Sequence, residues 1–187
     1  MRYPARETAE KHERILNEAA RLFRERGFAG AGVAEIMKAA GLTHGAFYAH
    51  FPSKGELAAE ALARAFAQSE DRICASAAAA TSPKQAFLDS YLSSAHRNHP
   101  GEGCAIAALG PEIARDPAVR GPFTKELKRM IARMAERFGC RNEEESRRDA
   151  IHLLSAAVGA LILARAVDDP VLSDEILSSV HESLAST

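Results

Sequence analysis

Three cysteines and seven histidines carry the most versatile chemistry in this 187-residue chain. Cys74, Cys104 and Cys140 stand too far apart for a CxxC metal site and are odd in number, so neither a metal nor a disulfide framework is expected. A reducing, cytoplasmic setting follows. His96 and His99 precede Cys104 closely, but their spacing matches no zinc pattern. No cofactor is expected. Cys104 follows Gly103 at the start of an apolar run. Helix N-termini favour the thiolate form of a thiol, which opens oxidant or electrophile sensing; a small inert hydrophobe is the plainer role for a buried cysteine. There is no P-loop, GxGxxG or HExxH, and no serine sits in a nucleophile-elbow context, so no enzymatic reaction is expected.

Residues 28–54 read FAGAGVAEIMKAAGLTHGAFYAHFPSK. Two short helical stretches flank Ala40-Gly41-Leu42-Thr43, a tight turn of the helix-turn-helix kind. Val33, Ile36, Leu42, Phe47 and Phe51 form the apolar set that holds such a unit to a preceding helix. The remainder of the second helix is Thr43, His44, Gly45, Ala46, Tyr48, Ala49 and His50. It contains no acidic side chain, which suits contact with a polyanion, and the N-terminal residues of such a helix face base edges in the major groove.

These residues need a helical scaffold, and the sequence supplies one. Apolar residues recur at spacings of three and four, β-branched runs are sparse, and capping signals separate the periodic stretches. The expected fold is all-α with about nine helices: 8–26 ended by Gly27, 33–40 ended by Gly41, 43–50 capped by Thr43 and stopped by Pro52, 53–79 opened by a Ser53–Glu56 capping box, one from Pro83, 104–115, 117–138, 143–166 and 170–184. Residues 96–103, with Pro100 and two glycines, read as a break. The longest apolar run, Leu153 to Ala164, is a dozen residues, short of the ~18 needed to span a membrane. No signal peptide is expected.

The chain here resembles the TetR family of bacterial transcriptional regulators. The resemblance rests on Arg26-Gly27-Phe28, Val33-Ala34-Glu35-Ile36, Ala40-Gly41-Leu42, Gly45-Ala46-Phe47-Tyr48-Ala49-His50-Phe51 and Lys54-Gly55-Glu56-Leu57, in register over residues 10–60. It implies a DNA-binding domain at 1–54 and a ligand-binding and dimerisation domain at 55–187. Tyr48 and His50 would donate to DNA phosphates, and Lys54 would reach another at a helix N-terminus. Thr43, His44, Gly45, Ala46 and Ala49 would face bases, with His44 the candidate for a base-edge hydrogen bond and the alanines limited to thymine methyls. An N-terminal arm with Arg2 and Arg6 would touch phosphate or the minor groove. One departure stands out: the family's Thr-Ser pair before the second helix is Ala31-Gly32 here, which removes a hydroxyl contact.

For the rest of the chain the resemblance implies an effector pocket and a homodimer. Phe87, Tyr91, His96, Cys104, Leu109, Phe123, Leu127 and Met130 are the pocket candidates. Ile151, Leu154, Ser155, Val158, Ile162, Ile176, Leu177, Val180 and Leu184, at helical spacing with Leu161 and Arg165, are the dimer candidates; an intramolecular core is compatible with the same stripes. The expected function is a ligand-released repressor bound as a homodimer to a near-palindromic double-stranded operator, with an unknown small-molecule effector. The competing reading is a helical small-molecule-binding protein without specific DNA binding. The net charge of −1 hides a split that favours the former: residues 1–54 hold nine Lys/Arg against six Asp/Glu, while residues 55–187 hold fifteen against nineteen. A basic head is joined to an acidic body.

Overall fold

A computed structural model of the chain describes residues 5–78, 82–139 and 142–186. Arg2, Thr81 and Cys140, and the side chain of Cys74, lie outside the described set. Among the described residues there are nine α-helices, two 3-10 helices and no strand. In chain order these are α1 (Ala5–Gly30), α2 (Val33–Ala39), a 3-10 helix at His44–Ala49, α3 (Lys54–Ala78), α4 (Pro83–Tyr91), α5 (Ser94–Asn98), a 3-10 turn at Pro100–Glu102, α6 (Ala105–Ile113), α7 (Pro117–Phe138), α8 (Glu143–Ala166) and α9 (Pro170–Ala185).

The punctuation follows backbone chemistry. Ser82, Asp116, Asn142 and Asp169 each accept a first-turn N–H of the helix that follows, at 3.3, 2.9, 3.0 and 2.9 Å. Ser53 accepts the Glu56 N–H at 3.1 Å, one half of the expected capping box. Gly41 ends α2 in a Schellman arrangement: its N–H reaches the Lys38 carbonyl at 3.0 Å, and the Leu42 N–H reaches Met37 at 2.8 Å.

Three local expectations need correction. Gly27 has the expected positive φ of 76°, but its ψ of 170° is not left-handed helical. The chain kinks there and resumes for one more turn through Gly30. The 43–50 helix is 3-10 rather than α, and Thr43 makes no side-chain cap. The six residues His44–Ala49, closed off by Pro52, form one of the short pieces in which 3-10 turns commonly serve. The expected break at 96–103 holds a short helix instead: Ser93 caps α5 by accepting the His96 N–H at 3.1 Å.

The head is α1, α2 and the 3-10 helix. Ile15, Ala19, Leu22, Phe23, Ile36, Met37, Phe47 and Phe51 are all at most 2% exposed and form its core. α1 packs along α3 and against α6 and the Pro100–Glu102 turn, so head and body share a wall instead of meeting through a linker. In the body α8 lies between α7 and α9. Its Ala157, Ala160 and Ala164, all buried, let neighbouring helices approach closely. By length and composition α8 alone among the described helices is apolar enough to cross a membrane; here Leu153, Leu154 and Leu161 are buried among its neighbours.

Candidate nucleic-acid interface and adjoining cavity

The 3-10 helix is fixed from below by Phe47, buried against Phe51 with ring centroids 5.9 Å apart. This leaves the other face outward. Thr43, His44, Gly45, Tyr48 and Ala49 are exposed, while Ala46, His50 and Lys54 are half-buried. Tyr48 is 72% exposed, its ring edge-on to Phe47 at 5.2 Å. An aromatic ring so placed is anchored at its base and offers its hydroxyl to a partner. Lys54 opens α3 directly after this face, on the first turn of that helix.

His50 borders a groove with Thr8, Ala9, His12, Glu13 and Ala49. Behind it, His12 stacks on Phe51 at 4.5 Å and lies 6.0 Å from the His50 ring. Burial, then His12 and Lys11, hold His50 below the usual histidine range. It therefore meets a partner as a neutral N–H donor at neutral pH. His12 was not legible as part of this face, because it sits on α1, thirty-eight residues away in sequence.

The Ala31-Gly32 departure now has a structural meaning. Ala31 is 0% exposed, so that position faces the core and not a partner. Gly32 is the N-cap of α2 and makes no side-chain cap. Arg6 is exposed and pairs with Glu10 at 3.0 Å, a surface pair of the weak i,i+4 kind.

The body holds a cavity of about 230 Å³. Five of the eight candidates line it: Phe87, Tyr91, His96, Cys104 and Met130. Three do not. Leu109 is ordinary core at 1% exposed. Phe123 packs edge-on to Phe66 at 5.9 Å, and Leu127 lies partly buried against the core. Leu154, expected at the partner face, is a cavity wall. Ser69 and Arg72 of α3 join the lining, as do Ser90, Ser93, Ala95, His99 and Glu102. Arginine on a long amphipathic helix reads as solvated surface, and nothing in the spacing signals otherwise.

His96 organises one side of this cavity. Its Nδ1–H donates to the Tyr91 carbonyl at 2.7 Å, and its Nε2 accepts the Cys104 N–H at 2.9 Å. That arrangement requires the neutral ring. Burial lowers its pKa to about 4, and Arg165 and Arg72 add to the effect against the opposing Tyr91 carbonyl. Arg165, counted above with the α8 stripe, turns inward and donates to the carbonyls of Arg97 and His96 at 3.1 and 2.7 Å. No group of three or more metal-ligating side chains occurs among the described residues.

The dimer candidates divide. Leu154, Leu177 and Leu184, each about 5% exposed or less, belong to the chain's own core. Ile151 and Ile162 are 42% and 37% exposed, Ser155 is exposed, and Val158, Ile176 and Val180 are partly so. Leu172 continues the α9 stripe, also exposed.

A helix-turn-helix head on an all-helical body that holds a cavity is the class this architecture defines. The sequence pattern of bacterial regulatory proteins of the tetR family matches residues 15–61. The repressor DhaR of Mycobacterium sp. (strain GP1) is 28% identical over 102 residues, covering 54% of this chain and 52% of DhaR. The chain thus spans about half the length of that relative. A TetR-family regulator from Cytophaga hutchinsonii superposes over 100% of this chain and 98% of its own, at TM-score 0.79 and 19% identity. Another from Chloroflexus aurantiacus J-10-FL reaches TM-score 0.76 at 25% identity, covering 97% and 95%. Residues 15–61 carry the pattern of the TetR family of bacterial transcriptional regulators, and the fold of the whole chain is the one those TetR-family structures share.

Proposed function

We propose that the chain is a cytoplasmic, ligand-responsive repressor that binds a near-palindromic DNA operator as a homodimer. The exposure of Tyr48 on an acid-free face carries this reading: an aromatic anchored on Phe47 and 72% exposed fits a partner surface. In the DNA complex Tyr48 and His50 donate to phosphates beside Lys54, and Thr43, His44, Gly45, Ala46 and Ala49 meet base edges or methyls. The name of DhaR, a repressor, supports the direction of regulation.

The half-exposed stripe of Ile151, Val158, Ile162, Leu172, Ile176 and Val180 supplies the dimer face. Residues 1–54 act as the head and 55–187 as the sensing body. A small molecule in the cavity releases DNA to the extent that it binds the DNA-free conformation more tightly.

Gel shift on the chain's own upstream intergenic DNA tests this. Tyr48→Phe with Lys54→Ala is expected to weaken binding at least tenfold and to lower the salt slope by about one, with melting temperature and dimerisation retained. Equal affinity of parent and double variant would sink the assignment.

A further inference from the structure

Two polar side chains on the cavity wall have no task in the fold. The Tyr91 hydroxyl is shut away from water, in a residue 8% exposed, and among the described residues it meets no nitrogen or oxygen partner, only the Cys104 sulfur. Its neighbour is Cys104, a free and buried thiol at the N-cap of α6. Burial, and after it the Cys104 sulfur, push the phenol well above its ordinary range, so the hydroxyl keeps its proton for donation. A buried hydroxyl left unpaired is costly. Here it lines a cavity whose apolar wall is Phe87, Met130 and Leu154, with the small polar Ser69, Ser90 and Ser93 beside them and exposed Arg72, His99 and Glu102 on its lining.

The surroundings of the sulfur are cationic. Arg72 donates to the carbonyl of Gly103, the residue before Cys104, at 3.4 Å, the Arg165 guanidinium lies against Gly103, and Arg24 donates to Gly101 at 2.8 Å. Positive surroundings are where protein thiols act as nucleophiles. A ligand that satisfies all of this has an apolar skeleton, one oxygen acceptor for Tyr91 and one electrophilic carbon for Cys104. We propose that Cys104 is a covalent addition site for small α,β-unsaturated carbonyl compounds, that Tyr91 is the donor to their carbonyl oxygen, and that the adduct acts on α1.

The step balances without an oxidant or reductant. The thiol gives its proton to water, and a sulfur lone pair forms the S–C bond to the β-carbon. The C=C π pair moves to leave an enolate, whose oxygen accepts the Tyr91 O–H hydrogen bond. Water then protonates the α-carbon. Sulfur and hydrogen have been added across the double bond.

The consequence for α1 comes from the segment before Cys104. Gly101 lies against the Glu25 side chain, and its carbonyl accepts from Arg24 at 2.8 Å. The Gly103 carbonyl accepts from Arg72 at 3.4 Å. Added bulk on Sγ pushes this segment off its α1 partners. That this alters DNA affinity rests on the function proposed above; the addition and the loosening do not.

The test uses the full chain carrying Cys74→Ser and Cys140→Ser, with methyl vinyl ketone as the probe. Intact mass and peptide mapping are expected to show one adduct, at Cys104, formed about tenfold faster than on glutathione at the same pH. Tyr91→Phe, which removes an unsatisfied hydroxyl and so keeps its melting temperature, is expected to react about tenfold more slowly. Hydrogen exchange of the adduct is expected to rise over residues 99–104 and the last turns of α1. An unlabelled Cys104, a rate no faster than glutathione's, a Tyr91→Phe rate equal to the parent's, or unchanged exchange at α1 each overturns the proposal. Neither readout uses DNA, so failure of the unmodified chain to bind DNA counts against the function reading alone.

Discussion

The Arg24 guanidinium of α1 donates through Nε to the Gly101 carbonyl at 2.8 Å, seventy-seven residues away. It also reaches the Gln68 side chain at 2.8 Å and the Ala65 carbonyl at 3.5 Å on α3. Arg24 is 5% exposed and has no carboxylate ion-pair partner among the described residues; burial, then Arg72, lower its pKa to about 10, so it stays charged at neutral pH. One cation therefore clasps the head helix, the first body helix and a turn next to the cavity.

Arg24→Met strands the buried Gly101 carbonyl. Stability is expected to fall by about 2 kcal/mol. Arg24→Lys recovers only part of that, since an ammonium cannot serve three acceptors in the guanidinium's planar geometry. Urea midpoints decide it: a Met variant as stable as the parent contradicts the clasp.

His96 makes stability pH-dependent. Its folded pKa of about 4 lies below the unfolded value of about 6.5. The unfolded chain therefore takes up the proton first. Its stabilising contribution is complete above pH 6.5 and is lost as pH falls toward 4. Between pH 7 and 5 the loss from this residue is expected to be about 2 kcal/mol. His96→Gln should start less stable at pH 7 and decline less by pH 5. A parallel decline in both proteins assigns the acid limb to other groups.

Gly27→Ala meets two obstacles. Its φ of 76° is strained for any L side chain, and a Cβ there runs into the Glu112 carboxylate. That carboxylate accepts the Phe28 N–H at 2.8 Å and cannot move freely. A loss of about 2 kcal/mol is expected. Adding Glu112→Ala relieves the clash and leaves the backbone strain, so melting temperatures of the single and double variants separate the two.

Ile162→Glu places a charge on the half-exposed α8 stripe without entering the chain's own core. A monomer that keeps its helical circular dichroism is expected by analytical ultracentrifugation. A dimer of parental strength moves the interface elsewhere.

The helices and most of their caps were legible because Ser82, Asp116, Asn142 and Asp169 cap by local chemistry, and their effect needs no tertiary partner. The exposed side of 43–50 was legible for the same reason: Phe47 and Phe51 fix which side faces in. What sequence could not settle was which of several apolar stripes faces which neighbour. Leu154 and Ile151 lie on the same helix at helical spacing, yet one walls the cavity and the other is exposed. Arg24 and Arg72 were invisible for a different reason. An arginine is informative only when its fixed fork finds carbonyls, and those of Gly101 and Gly103 arrive from a distant turn.

Gly101 is pressed against Glu25 so closely that a Cβ would collide with it. A side chain at Gly101, between the cavity-lining His99 and Glu102, would have to displace Glu25. Divergence in ligand preference is then expected first at Ser69, Phe87, Ser90 and the other lining positions of α3 and α4. Selectivity and transmission are thereby carried by different parts of the chain, and a lineage can retune the first while inheriting the second unchanged.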